Sequence, residues 1–373
     1  MVQGGIEMKL TVPELGMEEL QAIKEVLDSG NLTQGPVAKD FEETIAGYVG
    51  VPFGIATSSC TTGLHLCLSA LNVKPGQEVI IPDFTFPATA NVVIQQGAIP
   101  VIVDVDPESF TMDPSSLAGA ITENTAAIMP VHAFGVCADM DEINRVAGSI
   151  PVIEDAACAL GSTYRGRPAG SLGSMAAFSF HPRKIITTGE GGMVTLSDPD
   201  LANRVRLLST HGGQRTELFL EFVEAGFNYR MSDINAAVGL VQMTRLGSII
   251  ERRTALANYY RSLLSNNPLV QVQSVPEFTT STYQSLVVLV SNQVNRDDVI
   301  RLLRRRGHEV TLGTYSLHNQ PIFVNRFGYV PGQFQHGDNI YRRSLTLPLF
   351  PSMTKSDVEE MCDVLAESIS HLV

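Results

Sequence analysis

Three stretches of the chain carry residue types that can act together chemically. The run Phe178-Ser179-Phe180-His181-Pro182-Arg183-Lys184 ends an apolar strand pattern on a lysine, and Gly189, Gly191 and Gly192 follow. Most lysines are solvated surface charges. One held in an apolar pocket has a depressed pKa, and its free amine is then a nucleophile suited to Schiff-base formation. The glycines let backbone pass close to a bound planar ring. Upstream, Pro151-Val152-Ile153-Glu154-Asp155 is a strand pattern closing on two acids, followed by Ala156, Ala157 and Cys158. A carboxylate at a strand's carboxyl end is well placed to meet a cationic group in the crevice. Taken alone, such a pair more often caps a helix. Earlier still, Thr57-Ser58-Ser59-Cys60-Thr61-Thr62-Gly63 opens an apolar helix pattern. Free backbone N–H groups, the helix dipole and several hydroxyls make a phosphate cup there, although a plain N-cap needs only one hydroxyl.

The order carries more than any one piece. A phosphate cup, then an acid at Asp155, then a lysine 29 residues later at Lys184 fit pyridoxal 5'-phosphate. A carboxylate keeps the pyridine nitrogen of that cofactor protonated, so that the ring acts as an electron sink.

Further motifs occur in one order along nearly the whole chain: GNLTQGP (30–36), SCTTGLHL (59–66), IPDFTFPATAN (81–91), VIEDAACALG (152–161), FSFHPRKIITTGEGG (178–192), GFNYRMSDINAAVGLVQ (226–242) and LPLFPSM (347–353). In these motifs the chain resembles the DegT/DnrJ/EryC1/StrS family of PLP-dependent sugar aminotransferases. The resemblance implies an α/β protein of PLP-dependent transferase fold type I, aspartate-aminotransferase-like. It places Lys184 on the Schiff-base lysine and Asp155 on the acid that pairs with the pyridine nitrogen. Phe86 falls on the aromatic that stacks on the ring, and Ser59, Cys60, Thr61 and Ser179 fall on phosphate-binding positions. Asn228 falls on a residue that reaches the phosphate of the neighbouring subunit, so a homodimer with shared sites is implied. The implied reaction moves an amino group from an amino acid, glutamate by resemblance, to a nucleotide-linked keto sugar. TTGEGG (187–192) resembles members that aminate C4, and a 4-keto-6-deoxyhexose is the expected acceptor. A few relatives act on keto cyclitols instead.

Two positions depart from the family pattern. Cys60 stands where glycine or alanine is common, and its backbone N–H still serves. Cys158 stands where glutamine or histidine often lies near the cofactor's phenolic oxygen, and a thiol is a weaker donor. Dehydratase relatives carry histidine in place of the lysine, so Lys184 argues against that chemistry. A non-catalytic binding or regulatory protein has no need of a reactive amine. No GxGxxG follows the first strand, which argues against a dinucleotide site. Candidates on the substrate side are His181, Arg230, Tyr315 and His318. His181 reads slightly better as a structural histidine, and Arg304-Arg305-Arg306 reads as solvated charge closing a helix.

These groups need a scaffold. Short Val- and Ile-rich runs at 79–81, 99–103, 126–131, 151–153, 176–180 and 193–196 alternate with helical patterns such as 62–71 and 89–96. This predicts a large, mostly parallel sheet covered on both faces, with function at the carboxyl ends of its strands. Residues 231–264 read as one or two long helices. Beyond them, strand patterns at 283–290 and 309–312 and helix patterns at 297–306 and 356–372 suggest a smaller α/β domain. The expected division is 1–250 and 251–373.

At 44% apolar and 17% charged residues the composition is that of a globular chain. A net charge of -13 repels nucleic acid and anionic membranes. Five cysteines without a CxxC pair predict neither a disulfide framework nor a zinc site, and no metal is expected. The first residues, MVQGGIEMKL, lack a secretion-signal pattern, and no run of eighteen apolar residues occurs. A cytoplasmic protein is the expectation.

Overall fold

The computed structural model describes residues 7–373. Seven strands form its main sheet: β1 (Phe53–Thr57), β2 (Glu78–Pro82), β3 (Ile99–Val103), β4 (Thr125–Ile128), β5 (Ile153–Asp155), β6 (Met175–Ser179) and β7 (Gly192–Leu196). β2 runs parallel to β3 on one side and to β4 on the other. β5 and β6 are parallel, and β7 lies antiparallel between β6 and β1. Parallel bridges Ile128↔Val152 and Val131↔Asp155 join the two sets. The resulting spatial order is β3-β2-β4-β5-β6-β7-β1. The strands are nearly continuous apolar runs because both faces are covered. β7 runs backwards because the segment 180–191 contains no helix to carry the chain over the sheet. That short return is also the segment that bears Lys184.

One apolar cluster, with Phe41, Phe178 and Phe180, packs on one side of the sheet, and another, with Leu64, Leu66 and Ile81, on the other. Burying a side chain of this size contributes ~2–3 kcal/mol. The helical pattern at 231–264 is a single uninterrupted helix, Asp233–Leu264. It starts two residues late because the Ser232 hydroxyl caps it, accepting from Asn235 N at 3.2 Å. Its Leu246 and Ile249 belong to the large-sheet core, while Leu256, Tyr260 and Leu264 enter another.

That further core backs an antiparallel sheet ordered Val270–Val272, Leu286–Val290, Ser344–Leu347, Thr311–Leu312. Helices Arg296–Arg305 and Lys355–Ser370 cover it. Met8 packs into the same core, and the Leu10 carbonyl accepts from Leu349 N at 3.1 Å. The N-terminal segment is thereby stitched to this second sheet. No helix among the described residues is long and apolar enough to cross a membrane.

Candidate active site

Lys184 lies in the turn after β6, with its backbone N–H donating to the His181 carbonyl at 2.8 Å. Its amine donates to Cys158 Sγ at 3.1 Å. The expected depressed pKa is not found. Burial does push the ammonium down, but Cys158, Cys60 and Asp155 push it up, and the net shift is upward from the ordinary lysine value. The pocket is not the apolar one that the sequence suggested. Two cysteines and a carboxylate from distant segments line it instead.

Asp155 closes β5 and is buried. Its carboxylate accepts from the Thr89 hydroxyl at 2.7 Å and from Ala157 N at 3.2 Å. Burial raises its pKa, against the hydrogen bonds from Thr89 and Ala157 and the charges of Lys184 and His132. Glu154, one residue earlier, points to the other face. It accepts from the backbone N–H groups of Gly170, Leu172 and Gly173 at 2.6–2.8 Å and lies 2.9 Å from His132 Nε2. Strand alternation therefore divides the acid pair into a structural member and a site member.

The cup is built by the start of helix Cys60–Ala70. Ser59 Oγ caps it, accepting from Thr62 N at 3.2 Å. The N–H groups of Cys60 and Thr61 make no hydrogen bond among the described residues, leaving two donors at a helix N-terminus. The Cys60 thiol faces the sheet and donates to Ala177 O at 3.4 Å, so this residue offers the cup its N–H alone. Gly192 is essential to the approach. A Cβ there would lie 2.4 Å from Ser59 C and 2.5 Å from Cys60 N. Gly192 in turn pairs with Ser179 across β7 and β6, which brings Ser179 to the same edge.

Phe86 is 65% exposed, a large apolar surface for a ring to rest on. Its carbonyl accepts from the Thr89 hydroxyl at 3.2 Å, and that hydroxyl also reaches Asp155. Tyr315 meets Phe86 edge-on with centroids 6.4 Å apart. The two are brought together by a ribbon pairing Phe84–Thr85 with Tyr315–Ser316. The segment with Asn228 and Arg230 runs beside the cup, since Ser58 N donates to Tyr229 O at 2.8 Å and Arg230 bridges Thr57. The Asn228 side chain is exposed and, among the described residues, accepts only from Arg230 Nε, at 3.1 Å. His181 is half-buried, and its Nδ1 accepts from Arg183 N at 3.2 Å and so shapes the lysine turn. His318 is fully buried against Asp83 and Ser316 and offers no surface to a substrate.

Thr89 was not singled out from sequence. It connects the stacking aromatic to the acid, and its only signal was its place in TFPATAN. Asp233 was also missed. It accepts from the N–H groups of Gly35, Val37 and Ala38, tying GNLTQGP to GFNYRMSD.

A lysine amine, a buried acid with only neutral donors, a helix-start cup and an exposed ring surface converge at the carboxyl ends of β5 and β6. The set fits pyridoxal phosphate. Asp155 would meet the ring nitrogen, Cys60 N, Thr61 N and Ser179 the phosphate, and Lys184 the carbonyl carbon. The DegT/DnrJ/EryC1/StrS aminotransferase family model matches residues 13–366. The chain belongs to this family. It is a PLP-dependent aminotransferase of fold type I, and its cofactor is pyridoxal phosphate. Among relatives of this aminotransferase, the spore coat polysaccharide biosynthesis protein SpsC of Bacillus subtilis is 36% identical over 96% of each chain. The UDP-4-amino-4-deoxy-L-arabinose–oxoglutarate aminotransferase of Shewanella sediminis is 34% identical over 98% of each. Among solved structures, the PLP form of Spr1654 from Streptococcus pneumoniae superimposes with a TM-score of 0.93 at 28% identity, covering 99% of this chain and 100% of that one.

Proposed function

We propose that the enzyme moves an amino group from glutamate to C4 of a nucleotide-linked 4-keto-6-deoxyhexose. The observation that supports the donor and the C4 position is the end-to-end match to the Shewanella enzyme, whose name holds a nucleotide-linked 4-amino pentose and oxoglutarate; the 6-deoxyhexose is what the family resemblance implies. The TTGEGG turn after Lys184 supports the same position of amination.

The bound cofactor supplies an electron-withdrawing ring that stabilises charge on the carbon losing its proton. Asp155 holds the proton on the ring nitrogen, because a buried carboxylate gains most from an adjacent cation. Phe86 covers one face of the ring, with Tyr315 against its edge. The Ser59–Thr61 cup and Ser179 bind the phosphate. Lys184 would hold the cofactor through its carbonyl carbon, and its amine is the group placed to take up and return a proton at the donor's Cα, as base and then as acid. Cys158 accepts the hydrogen bond of that amine. The keto sugar then takes the same path in reverse, so the kinetics are ping-pong.

The working unit is a homodimer, with Asn228 reaching the partner's phosphate. Two features support it. Asn228 has no partner in its own cup, and the hairpin Gly213–Arg215/Leu220–Phe222 exposes Leu218, Phe219 and Phe222, an apolar patch that favours burial against another copy. Arg230, beside the cup, and Tyr315 face the sugar. The large domain runs to about residue 250 and the small one takes 251–373, with the long helix spanning the join and the segment at Met8 and Leu10 packing with the small domain, not the large one as the sequence division had it.

The test is to incubate the purified holoenzyme with L-glutamate and a panel of UDP-, dTDP- and GDP-linked keto sugars. Oxoglutarate release is followed and the site of amination read by NMR. The expected product is a 4-amino sugar. Amination of a keto cyclitol with none of the nucleotide sugars would overturn the reading.

A further inference from the structure

The sheet brings Cys158 and Lys184 together. β5 and β6 run parallel with Asp155 level with Ala177, so the turns that leave their carboxyl ends start side by side. Cys158 stands in the first turn and Lys184 in the second. Their side chains meet with Nζ 3.1 Å from Sγ, inside van der Waals contact. Among the described residues the amine is the only hydrogen-bond partner of this sulfur. Cys158 also differs from the other cysteines. Cys60, Cys67, Cys137 and Cys362 are buried, and Cys158 is only half-buried. Burial raises the thiol pKa of those four, which withholds their thiolates, and oxidants cannot readily reach them.

We propose that Cys158 and Lys184 are a modification site, joined by a reversible sulfenamide bond when the enzyme meets a hydroperoxide. In the first step the Cys158 sulfur attacks a peroxide oxygen. The O–O bond breaks, the thiol proton leaves with the other oxygen as water or alcohol, and the sulfur, oxidised by two electrons, becomes a sulfenic acid. In the second, the Lys184 ammonium gives a proton to solvent and its nitrogen lone pair attacks that sulfur. The S–O bond breaks, and hydroxide leaves as water with a further proton from the nitrogen. The chain has then lost two hydrogens and the peroxide has been reduced. A sulfenic acid is captured by the nucleophile nearest to it. Here that is the amine, carried on a flexible stem. The Cys60 thiol is turned to the sheet and donates to Ala177 O at 3.4 Å.

The bond ties up the amine, so the cofactor's carbonyl carbon meets no nucleophile and the enzyme is switched off. This consequence rests on the anchoring role given to Lys184 above, whereas the cross-link does not. A reducing thiol reverses it. It attacks the sulfur, the S–N bond breaks and the nitrogen leaves as the amine, and a second thiol frees Cys158 from the mixed disulfide. Bound cofactor that engages the amine protects the site.

The experiment treats three forms of the full-length chain with hydrogen peroxide: wild-type holoenzyme, cofactor-free wild type and cofactor-free Cys158→Ser. Protease digests are mapped by mass spectrometry, and uptake of added pyridoxal phosphate is read from the visible band. The cofactor-free wild type should yield a joined pair of peptides, one bearing Cys158 and the other Lys184, lighter than their sum by two hydrogens. Dithiothreitol should separate them. Uptake should fall in proportion to the joined fraction and return with the reductant. The holoenzyme should form little of the pair, and Cys158→Ser should keep the uptake it had before peroxide. Cys158 carried to sulfinic acid or joined to Cys60, with Lys184 free, overturns the proposal. So does Lys184 joined to another cysteine, or an equal loss of uptake in Cys158→Ser. A Cys158–Lys184 cross-link that leaves uptake unchanged would keep the modification site and take the anchoring role from Lys184.

Discussion

Around His318 the structure gathers a serine, a histidine and two aspartates; around Lys184 it gathers an aspartate and two thiols. On paper the first set looks the more reactive. Its geometry says otherwise. His318 Nδ1 lies 2.8 Å from Asp83 Oδ1 and 2.9 Å from Ser316 Oγ, so acid and hydroxyl crowd the same nitrogen. In a nucleophilic triad the serine sits on the opposite nitrogen. Here Nε2 makes no hydrogen bond among the described residues, and its nearest acid among them, Asp338, is 3.7 Å away. Asp83 also accepts from Ser316 Oγ at 2.8 Å and His318 N at 2.9 Å, and Asp338 is taken by Asn319 and Arg342. Apart from His318 Nε2, the polar groups of this cluster satisfy one another. It fastens the ribbon that presents Phe86 and Tyr315. Asp155, by contrast, accepts hydrogen bonds only from neutral donors among the described residues, while burial disfavours its charge. It gains by meeting a cation. A buried acid is a functional candidate when its partners inside the protein leave its charge unanswered, not merely when it has reactive neighbours.

The strongest challenge to this contrast is Lys184→Ala. Amination should fall by ~10⁴-fold or more. The visible band that borohydride bleaches in the wild-type holoenzyme should be missing, with the circular dichroism spectrum unchanged. Substantial turnover would remove the lysine from the site.

Asp155→Asn comes next. The half-reaction with glutamate should slow by ~10²–10⁴-fold in stopped-flow absorbance, on the scale of lost proton and electrostatic assistance. Stability should move the other way. The folded-state pKa of Asp155 is raised, so the folded form binds the proton more tightly than the unfolded one. The cofactor-free wild type should therefore lose stability as pH rises from the ordinary aspartate value through the raised one. Melting curves of cofactor-free Asp155→Asn should lack that decline. An identical pH profile in both would show that Asp155 carries no unanswered charge.

His318→Ala inverts the pattern. Breaking a buried histidine–carboxylate pair should cost about 3–5 kcal/mol in denaturant unfolding. Turnover per bound cofactor should stay within about tenfold of wild type, the residual loss coming through Phe86 and Tyr315. A normal stability with abolished turnover would make His318 a participant after all.

The smallest effect belongs to Ser59→Ala. Removing the N-cap should cost about 1 kcal/mol and weaken cofactor affinity severalfold by equilibrium dialysis, because Cys60 N and Thr61 N remain. Complete loss of cofactor would mean that the hydroxyl, not the helix start, holds the phosphate.

Much of the site was legible because its signals are local. Ser59–Thr61 at a helix start and Asp155 at a strand end are short-range patterns, and their order along the chain identifies the cofactor. The sheet was legible for the same reason, since its strands are apolar runs punctuated by glycine, proline or acid. What escaped was long-range. The sequence reading expected a lysine depressed by apolar surroundings. Cys158 and Cys60 come from 26 and 124 residues away, and only folding reveals that they reverse the shift. His318 looked like a substrate residue because its type is reactive, and its burial follows from a 235-residue contact with Asp83. Thr89 matters only because β5 comes to rest beside it.

Sequence alone determined which groups are present and which cofactor they suit, because an amine, an acid and a row of hydroxyls keep their chemistry wherever they sit. Tertiary structure decided which of them face one another. Glu154 and Asp155 are adjacent acids, and nothing in their types ranks them. Pairing of β5 with β6, and its bridges to β4, turns Glu154 toward Gly170 and Gly173 and Asp155 toward Thr89 and the lysine turn. A one-residue slip would exchange their roles, since strand side chains alternate and only the register says which side is which.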